Sequence, residues 1–417
     1  MRVQHRHIIY IQGYDPRGLA QYYRMFRTEL RKFGRLYQLQ ATISRPKVAP
    51  DDEIASWTID TKAEDWQTRT AYDFLRFEDF IQQDLAAPIW RTVFSAVWIY
   101  WRLVFAGTIA RFGKANWRFA TFITYPHLML LLEAACAGAI AFVFEKGLNA
   151  LGIPDIFSIT IATALFVALL GIVLKYTENA TYVLYLLCDT IWTWEFSHRE
   201  RPEWDQRIDR FAQHLVKTAR STDAEEIVIV GHSSGSFLST EMLARALKLD
   251  PALGKHGPAL WLMSTGSSLL KIALHPKAEW IRAATGRVAD APDVNWVEYQ
   301  AIVDVISFYK TDPVVEMGLA DRERPIVQQV KIRRMLEPAT YKRFWGNFFR
   351  LHRQFGMGNE LRYFYDYFQI CCGPAPLARR VEQRDRLLDA FAEDGSYDGS
   401  YKGSVAPKIA ARSGKGE

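Results

Sequence analysis

Between residues 225 and 235 a short apolar strand, 227–230, runs without a spacer into Gly231, His232, Ser233, Ser234 and Gly235, and a helical pattern begins at once. A strand that must become a helix within so few residues has little choice of backbone. The residue at the apex is held in a strained conformation, and glycines two positions to either side remove the side chains that would collide there. Phe237, Leu238, Met242, Leu243, Ala246 and Leu247 follow at helical spacing. The Ser233 hydroxyl would therefore stand at a helix N-terminus, where free amides and the helix dipole favour a developing negative charge. Ser233 reads as a nucleophile, with Gly231 and Gly235 as the glycines of its elbow. The competing reading is an ordinary glycine-rich turn.

Strand, G-x-S-x-G elbow and helix together resemble the α/β-hydrolase superfamily. The resemblance implies an α/β fold with a mostly parallel sheet flanked by helices, and an acid and a histidine that follow the serine in chain order. Three histidines come after Ser233, namely His256, His275 and His352, and the first two precede the next plausible acid-bearing strand. Segments 259–263, 294–302 and 327–332 read as buried strands. They match the three strands that the family places after its elbow. Asp304 lies just past the second and His352 beyond the third, so the resemblance implies a Ser233, Asp304, His352 triad. In such a triad the imidazole takes the serine proton during attack, and the carboxylate holds the imidazole in the required tautomer. Asp312, next to Pro313, is the alternative acid. Either aspartate could instead cap a turn, and His352 could be a surface histidine on an aromatic helix.

Acyl transfer also needs donors for an oxyanion. The family takes one from the residue after the nucleophile, here the Ser234 amide, and one from a loop after an early strand. Segment 7–11 reads as that strand, followed by Gln12, Gly13, Tyr14, Asp15 and Pro16. Tyr14 is the implied second donor. The family's more familiar loop has His before the glycine where this chain has Gln12, and an ordinary Asp-Pro turn is the competing reading.

Two long apolar stretches separate the early strand from the elbow. Segment 128–144 is apolar apart from Glu133, and 156–174 carries no charge. At about 1.5 Å per residue the second makes about 28 Å of helix, against a hydrocarbon thickness of ~30 Å. The first reaches that length if it starts near Tyr125, so spans are expected near 126–144 and 156–174. The connection 145–155 contains Gly147, Gly152 and Pro154, which predicts a tight hairpin. Glu133 should face its partner helix, the catalytic domain or the interface. A hydrophobic lid or dimerisation pair in a soluble protein is the alternative. Strand and elbow must join one sheet, so the number of crossings must be even. Arg102, Arg111, Lys114 and Arg118 before the first span and Lys175 after the second place both flanks, and the catalytic domain, on the cytoplasmic side. Segment 93–110 has Arg102 in its middle and reads as a membrane-surface or re-entrant helix. Segment 182–194 could be its counterpart on the exit side; if both crossed, there would be four spans.

The expected organisation is an N-terminal part of the α/β domain at 1–89, a membrane-associated helical insertion at 90–195, a C-terminal part at 196–392 and a disordered tail at 393–417, rich in Gly, Ser and Lys. Patterns at 21–33 and 204–220 read as crossover helices. Net charge is +6, but the basic residues are spread and no recognition motif accompanies them. Anionic lipid is therefore the expected partner, not nucleic acid. The four cysteines have neither disulfide nor metal-ligand spacing, and no cofactor is expected. The aromatic region 344–368 is either core or an acyl-chain groove. These features predict a membrane-anchored serine hydrolase acting on a lipid or other acylated ester. A serine acyltransferase or thioesterase would use the same residues, and a non-catalytic membrane scaffold could keep the fold without turnover.

Overall fold

The computed structural model describes residues 2–319 and 322–401. The chain forms two compact units: Met1–Asp79, Glu203–Leu270 and Glu279–Glu417 make the first, and Phe80–Pro202 with Lys271–Ala278 the second. The second unit is thus wider than the expected insertion and includes a short segment contributed from beyond the elbow.

The first unit is of the α/β class, built on a mixed, mostly parallel sheet with helices packed against it. Its strands are β1 (His5–Ile11), β2 (Gln40–Ile43), β3 (Lys47–Val48), β4 (Ile54–Lys62), β5 (Gln67–Leu75), β6 (Glu226–His232), β7 (Ala259–Thr265), β8 (Val294–Ala301) and β9 (Ile326–Val330). They lie in the order β2-β4-β5-β1-β6-β7-β8-β9, with β3 beside β4. Pairing is parallel from β5 through β9 and antiparallel at the β2, β3 and β4 edge. In β6 every residue from Glu226 to Gly231 is buried, as a parallel strand covered on both faces requires. Between β1 and β6 the sequence order of the strands changes direction. The crevice beyond the strand ends at such a switch point is the usual place for a ligand in open α/β sheets.

Aromatic packing on one face supports this sheet. Tyr22, from the helix Leu19–Leu36, stacks on Phe74 of β5 at 4.3 Å, and Trp57 stacks on Tyr72 at 4.7 Å. The hydroxyls of Tyr22, Tyr72 and Tyr367 form a chain at 3.1 and 2.7 Å, which satisfies polar atoms inside that apolar layer. Phe355, Tyr363, Phe364, Tyr365, Tyr367 and Phe368 are all in this core. That half of the aromatic region 344–368 is packing and not a groove.

Residues 393–401 correct the expectation of a disordered tail. Tyr397 is buried, bridges to Phe391 and stacks on it at 4.8 Å, while Trp66 Nε1 donates to the Gly395 carbonyl at 2.9 Å. Gly and Ser composition there hid a tyrosine that fills an apolar site. The rest of the expected tail, 402–417, lies outside the described residues.

Among the described residues, two helices of the second unit are long and apolar enough to cross a membrane. Trp117–Ala150 has 34 residues, and its apolar 18-residue stretch has a mean hydropathy of 2.0; Asp155–Thr181 has 27 residues, and its apolar 18-residue stretch has a mean hydropathy of 2.6. Asn116 caps the first by accepting from the Arg118 and Phe119 amides. Glu133 accepts from Thr177 Oγ1 at 2.7 Å, so the charge in the first helix faces the second. The helices Ile89–Phe105 and Thr108–Ala115 reach span length together but bend by 70° between them. Val183–Ser197 differs from its expected place on a surface: Leu186, Leu187, Asp189, Trp192, Thr193 and Phe196 are buried. Asp189 accepts two hydrogen bonds from Lys271 Nζ, at 2.7 and 2.6 Å, which fastens the segment Lys271–Ala278 inside this unit.

At the ends of β1 and β6 away from the elbow, Arg6 and Glu226 form a buried pair between the two strands. Arg6 also donates to the carbonyls of Gly373 and Ala375, and Glu226 accepts from the Leu377 amide. Arg6→Met would leave a buried carboxylate and two carbonyls without these donors, which should destabilise the first unit by about 3–5 kcal/mol. Urea denaturation of the detergent-solubilised chain, followed by tryptophan fluorescence, checks this; an unchanged midpoint would show that the pair is dispensable.

Candidate active site

The elbow forms where β6 ends and the helix Gly235–Leu249 begins. Ser233 takes φ 57°, a left-handed conformation that costs a non-glycine residue on the order of 1–3 kcal/mol. Hydrogen bonds to its backbone hold it there, among them one from the Ser236 amide to its carbonyl at 3.0 Å. Its amide donates to the Thr265 carbonyl at 3.0 Å, and its carbonyl accepts from Ser236 Oγ at 2.6 Å and from the Ser268 amide at 3.3 Å. The flanking glycines are required by close approach: a Cβ on Gly235 would stand 2.2 Å from the Ile11 carbonyl oxygen, and one on Gly231 2.3 Å from Ser239 Oγ. Ser233 itself is only half-buried.

Asp304 and His352 meet in this structure. His352 Nδ1 is 2.8 Å from Asp304 Oδ2 and both side chains are buried. Burial by itself would raise the Asp304 carboxyl, but the nearby His352 charge and the donors from His352, Ser307 and the Ile306 amide hold it below its ordinary value. An ionised carboxylate can only accept, so Nδ1 donates to it, and in the neutral imidazole Nε2 is the nitrogen that carries the lone pair. Among the described residues Nε2 has no hydrogen-bond partner, although it is buried. Ser233 Oγ thus does not donate to it in this conformation.

Asp312 is elsewhere. Its carboxylate caps the short helix Pro313–Glu316, accepting from the Val314 and Val315 amides at 3.0 and 3.2 Å. That is the turn-capping role weighed for an aspartate before proline.

Gly13 packs against Ser233: a Cβ built on it would lie 2.8 Å from Ser233 Cβ and 3.2 Å from Ser233 Oγ. The loop after β1 that carries Gln12 and Tyr14 is therefore beside Ser233. Ser234 is the N-cap of the helix Gly235–Leu249, at the end where amides lack intrahelical acceptors. Gln12 is buried, with Nε2 donating to the Asp15 carbonyl and, among the described residues, no partner for Oε1.

Four further residues build the site and were not singled out from the sequence. His232 Nε2 donates to the His352 carbonyl at 3.2 Å, and the two imidazole rings lie 4.6 Å apart. Burial, and then the neighbouring His352, bring the His232 pKa down to about 3, so it is neutral and packs beside the second imidazole without repulsion. The elbow thus grips the residue proposed as its base. Its position inside the G-x-S-x-G motif was the only available signal. Ser307, three residues after Asp304, donates to Oδ2 at 2.8 Å. Gly266 follows β7 with φ +52°, and a Cβ there would stand 2.9 Å from His352 Cε1 and 3.0 Å from Asp304 Oδ2. Glu298, on β8, is buried; desolvation raises its pKa from 4.5 to about 8, helped by the Asp312 charge. No group of His, Cys, Asp and Glu suited to a metal ion occurs among the described residues.

Comparison of the chain with family models, curated proteins and solved structures found no match.

Two substitutions test this geometry. Gly266→Ala should force the Asp304 and His352 pair apart and lower stability by about 1–3 kcal/mol, the usual effect of overpacking; an unaltered denaturation midpoint would contradict it. For Glu298, the unfolded carboxyl ionises near 4.5 and the folded one near about 8. The folded state keeps its extra proton between these values, so this group's stabilising contribution is full below 4.5 and is lost as the pH rises through about 8. Glu298→Gln should therefore gain stability relative to wild type across that window and show no further relative gain above it, as read from thermal midpoints at a series of pH values.

Proposed function

We propose that the chain is a membrane-anchored serine hydrolase with an α/β-hydrolase fold, cleaving an ester of a lipid or other acylated substrate through an acyl-enzyme. The observation that carries this reading is the coincidence of a serine in a left-handed elbow at the switch point with a buried carboxylate and imidazole pair whose free nitrogen has no partner. A surface histidine or a turn-capping aspartate would need neither that pairing nor that burial.

On this reading Ser233 Oγ attacks the acyl carbon while His352 Nε2 takes its proton, and Asp304 stabilises the imidazolium that forms. The amides of Ser234 and of the loop at Tyr14 receive the oxyanion. His352 then returns the proton to the leaving alcohol, and water, activated by the same nitrogen, releases the acid. A serine acyltransferase or thioesterase would replace that water or the leaving alcohol with another group.

The two apolar helices support anchoring in a bilayer. Since β1 and β6 belong to one sheet, both flanks of the hairpin lie on one side, and the basic residues flanking the spans favour the cytoplasmic side. Two crossings meet the parity; the bent pair Ile89–Phe105 and Thr108–Ala115 then lies at the surface or re-enters. Val183–Ser197, at 15 residues, spans roughly 22 Å at about 1.5 Å per residue and is short for a crossing.

Fluorophosphonate labelling of solubilised full-length protein tests the proposal. Wild type should label, Ser233→Ala and His352→Ala should not, and Asp304→Asn should label on the order of 10⁴-fold more slowly. Asp312→Asn should label at the wild-type rate. A folded wild type that never labels, or Asp312→Asn failing where Asp304→Asn succeeds, would overturn the assignment.

A further inference from the structure

The segment that leads to His352 has an exposed surface unlike the rest of the first unit. No residue of the helix Pro338–Phe344 is buried, and in Phe348–His352 only Leu351 and His352 are. Trp345 is 72% exposed and Phe348 49%, in a unit whose other aromatic side chains largely fill its core. A tryptophan this exposed on a globular surface points to a contact surface.

Charge selects the partner. Between residues 333 and 353 the chain has six basic residues, Arg333, Arg334, Lys342, Arg343, Arg350 and Arg353, against one acid, Glu337, a local balance of 6 − 1 = +5. Arg343 and Arg350 lie over the Phe344 ring at 4.9 and 4.4 Å, so the cations border the aromatic residues. Arg334 reaches Asp385 at 3.7 Å and Arg350 Nη1 donates to Gln354 Oε1 at 2.9 Å, while Lys342 and Arg343, beside Trp345, are exposed. Aromatic residues with a basic rim suit the boundary between acyl chains and anionic headgroups, where Trp is favoured and each nearby basic residue contributes about 1 kcal/mol. The segment is a run of two short helices that carries the two exposed aromatic residues between its basic ones.

We infer that the segment 338–350 docks on an anionic phospholipid surface through Trp345 and Phe348, with Lys342 and Arg343 at the headgroups. The inference does not depend on the chemistry proposed for Ser233. The candidate spans in the same chain would keep such a surface at high effective concentration, so a modest intrinsic affinity is enough. If both readings hold, the bilayer contact lies within one short helix of the proposed base.

Photocrosslinking tests it. The full chain is reconstituted in phosphatidylcholine vesicles with or without phosphatidylglycerol, with benzoylphenylalanine replacing Trp345, Phe142 on the long apolar helix, or Leu249 on an exposed helix end. Lipid adducts are then read by mass. Position 345 should give adducts in phosphatidylglycerol vesicles, as Phe142 does in both. At 345 they should fall at least about fivefold without the anionic lipid, and again with Lys342→Gln and Arg343→Gln together, about the effect of losing a single basic contact. Position 249 should give none. The inference is overturned if 142 reacts with lipid and 345 does not, if 345 reacts equally in both vesicles or no more than 249, or if 345 crosslinks to a second copy of the chain. Because these side chains are exposed, folding of each variant is checked independently by its elution profile, and the labelling behaviour of Ser233 separates a failure of this inference from a failure of the catalytic reading.

Discussion

The parallel pairing of β1 with β6 is the contact on which the rest of the first unit depends. It joins residues more than two hundred positions apart in sequence, in a register that sets Ile11 opposite Gly231. Because the strands are parallel and end together, the loop after β1 and the turn after β6 emerge side by side. Gly13 then meets Ser233, and Gly235 meets the Ile11 carbonyl at a distance no Cβ would tolerate. The elbow glycines answer to this neighbour as much as to the turn itself. The same pairing also requires the long apolar excursion between the two strands to return to the side from which it left.

Around Ser233 the electrostatics are set by which buried acids have donors. Asp304 has three, from His352, Ser307 and the Ile306 amide, and stays ionised despite burial. Glu298, equally buried, has the neutral side chains of Gln300 and Ser267 as donors and the Asp312 charge nearby, and it holds its proton up to about 8. Two carboxyls in one region are thereby driven in opposite directions, which leaves Asp304 as the charge that acts on His352. His232, kept neutral, adds a tether without adding a competing charge.

In the second unit the same rule governs polar groups in apolar surroundings. Glu133 turns to Thr177, Asp189 to Lys271, and Arg102 lies over the Trp194 ring at 4.3 Å. These three groups each meet a partner from another part of the same unit, as burial away from water favours.

The elbow, the three strands after it and the two apolar helices could be read from sequence because each is a local pattern: a spacing, a period or a length of apolar chain. Strands β2 to β5 lack so plain a local signal, since they are rich in polar residues, and they join the sheet by pairing with one another and, through β5, with β1. Composition misjudged 393–401, where one tyrosine with a site to fill outweighs the surrounding glycine and serine. It left Asp304 and Asp312 open, because both follow a strand and lie near turns. The sequence by itself determined where the chain must turn sharply and where it is apolar enough to enter a bilayer. Only the tertiary structure decided which aspartate meets His352, that His232 holds it and that Lys271 returns to Asp189, because these contacts depend on the register between distant strands and helices, which no local pattern encodes.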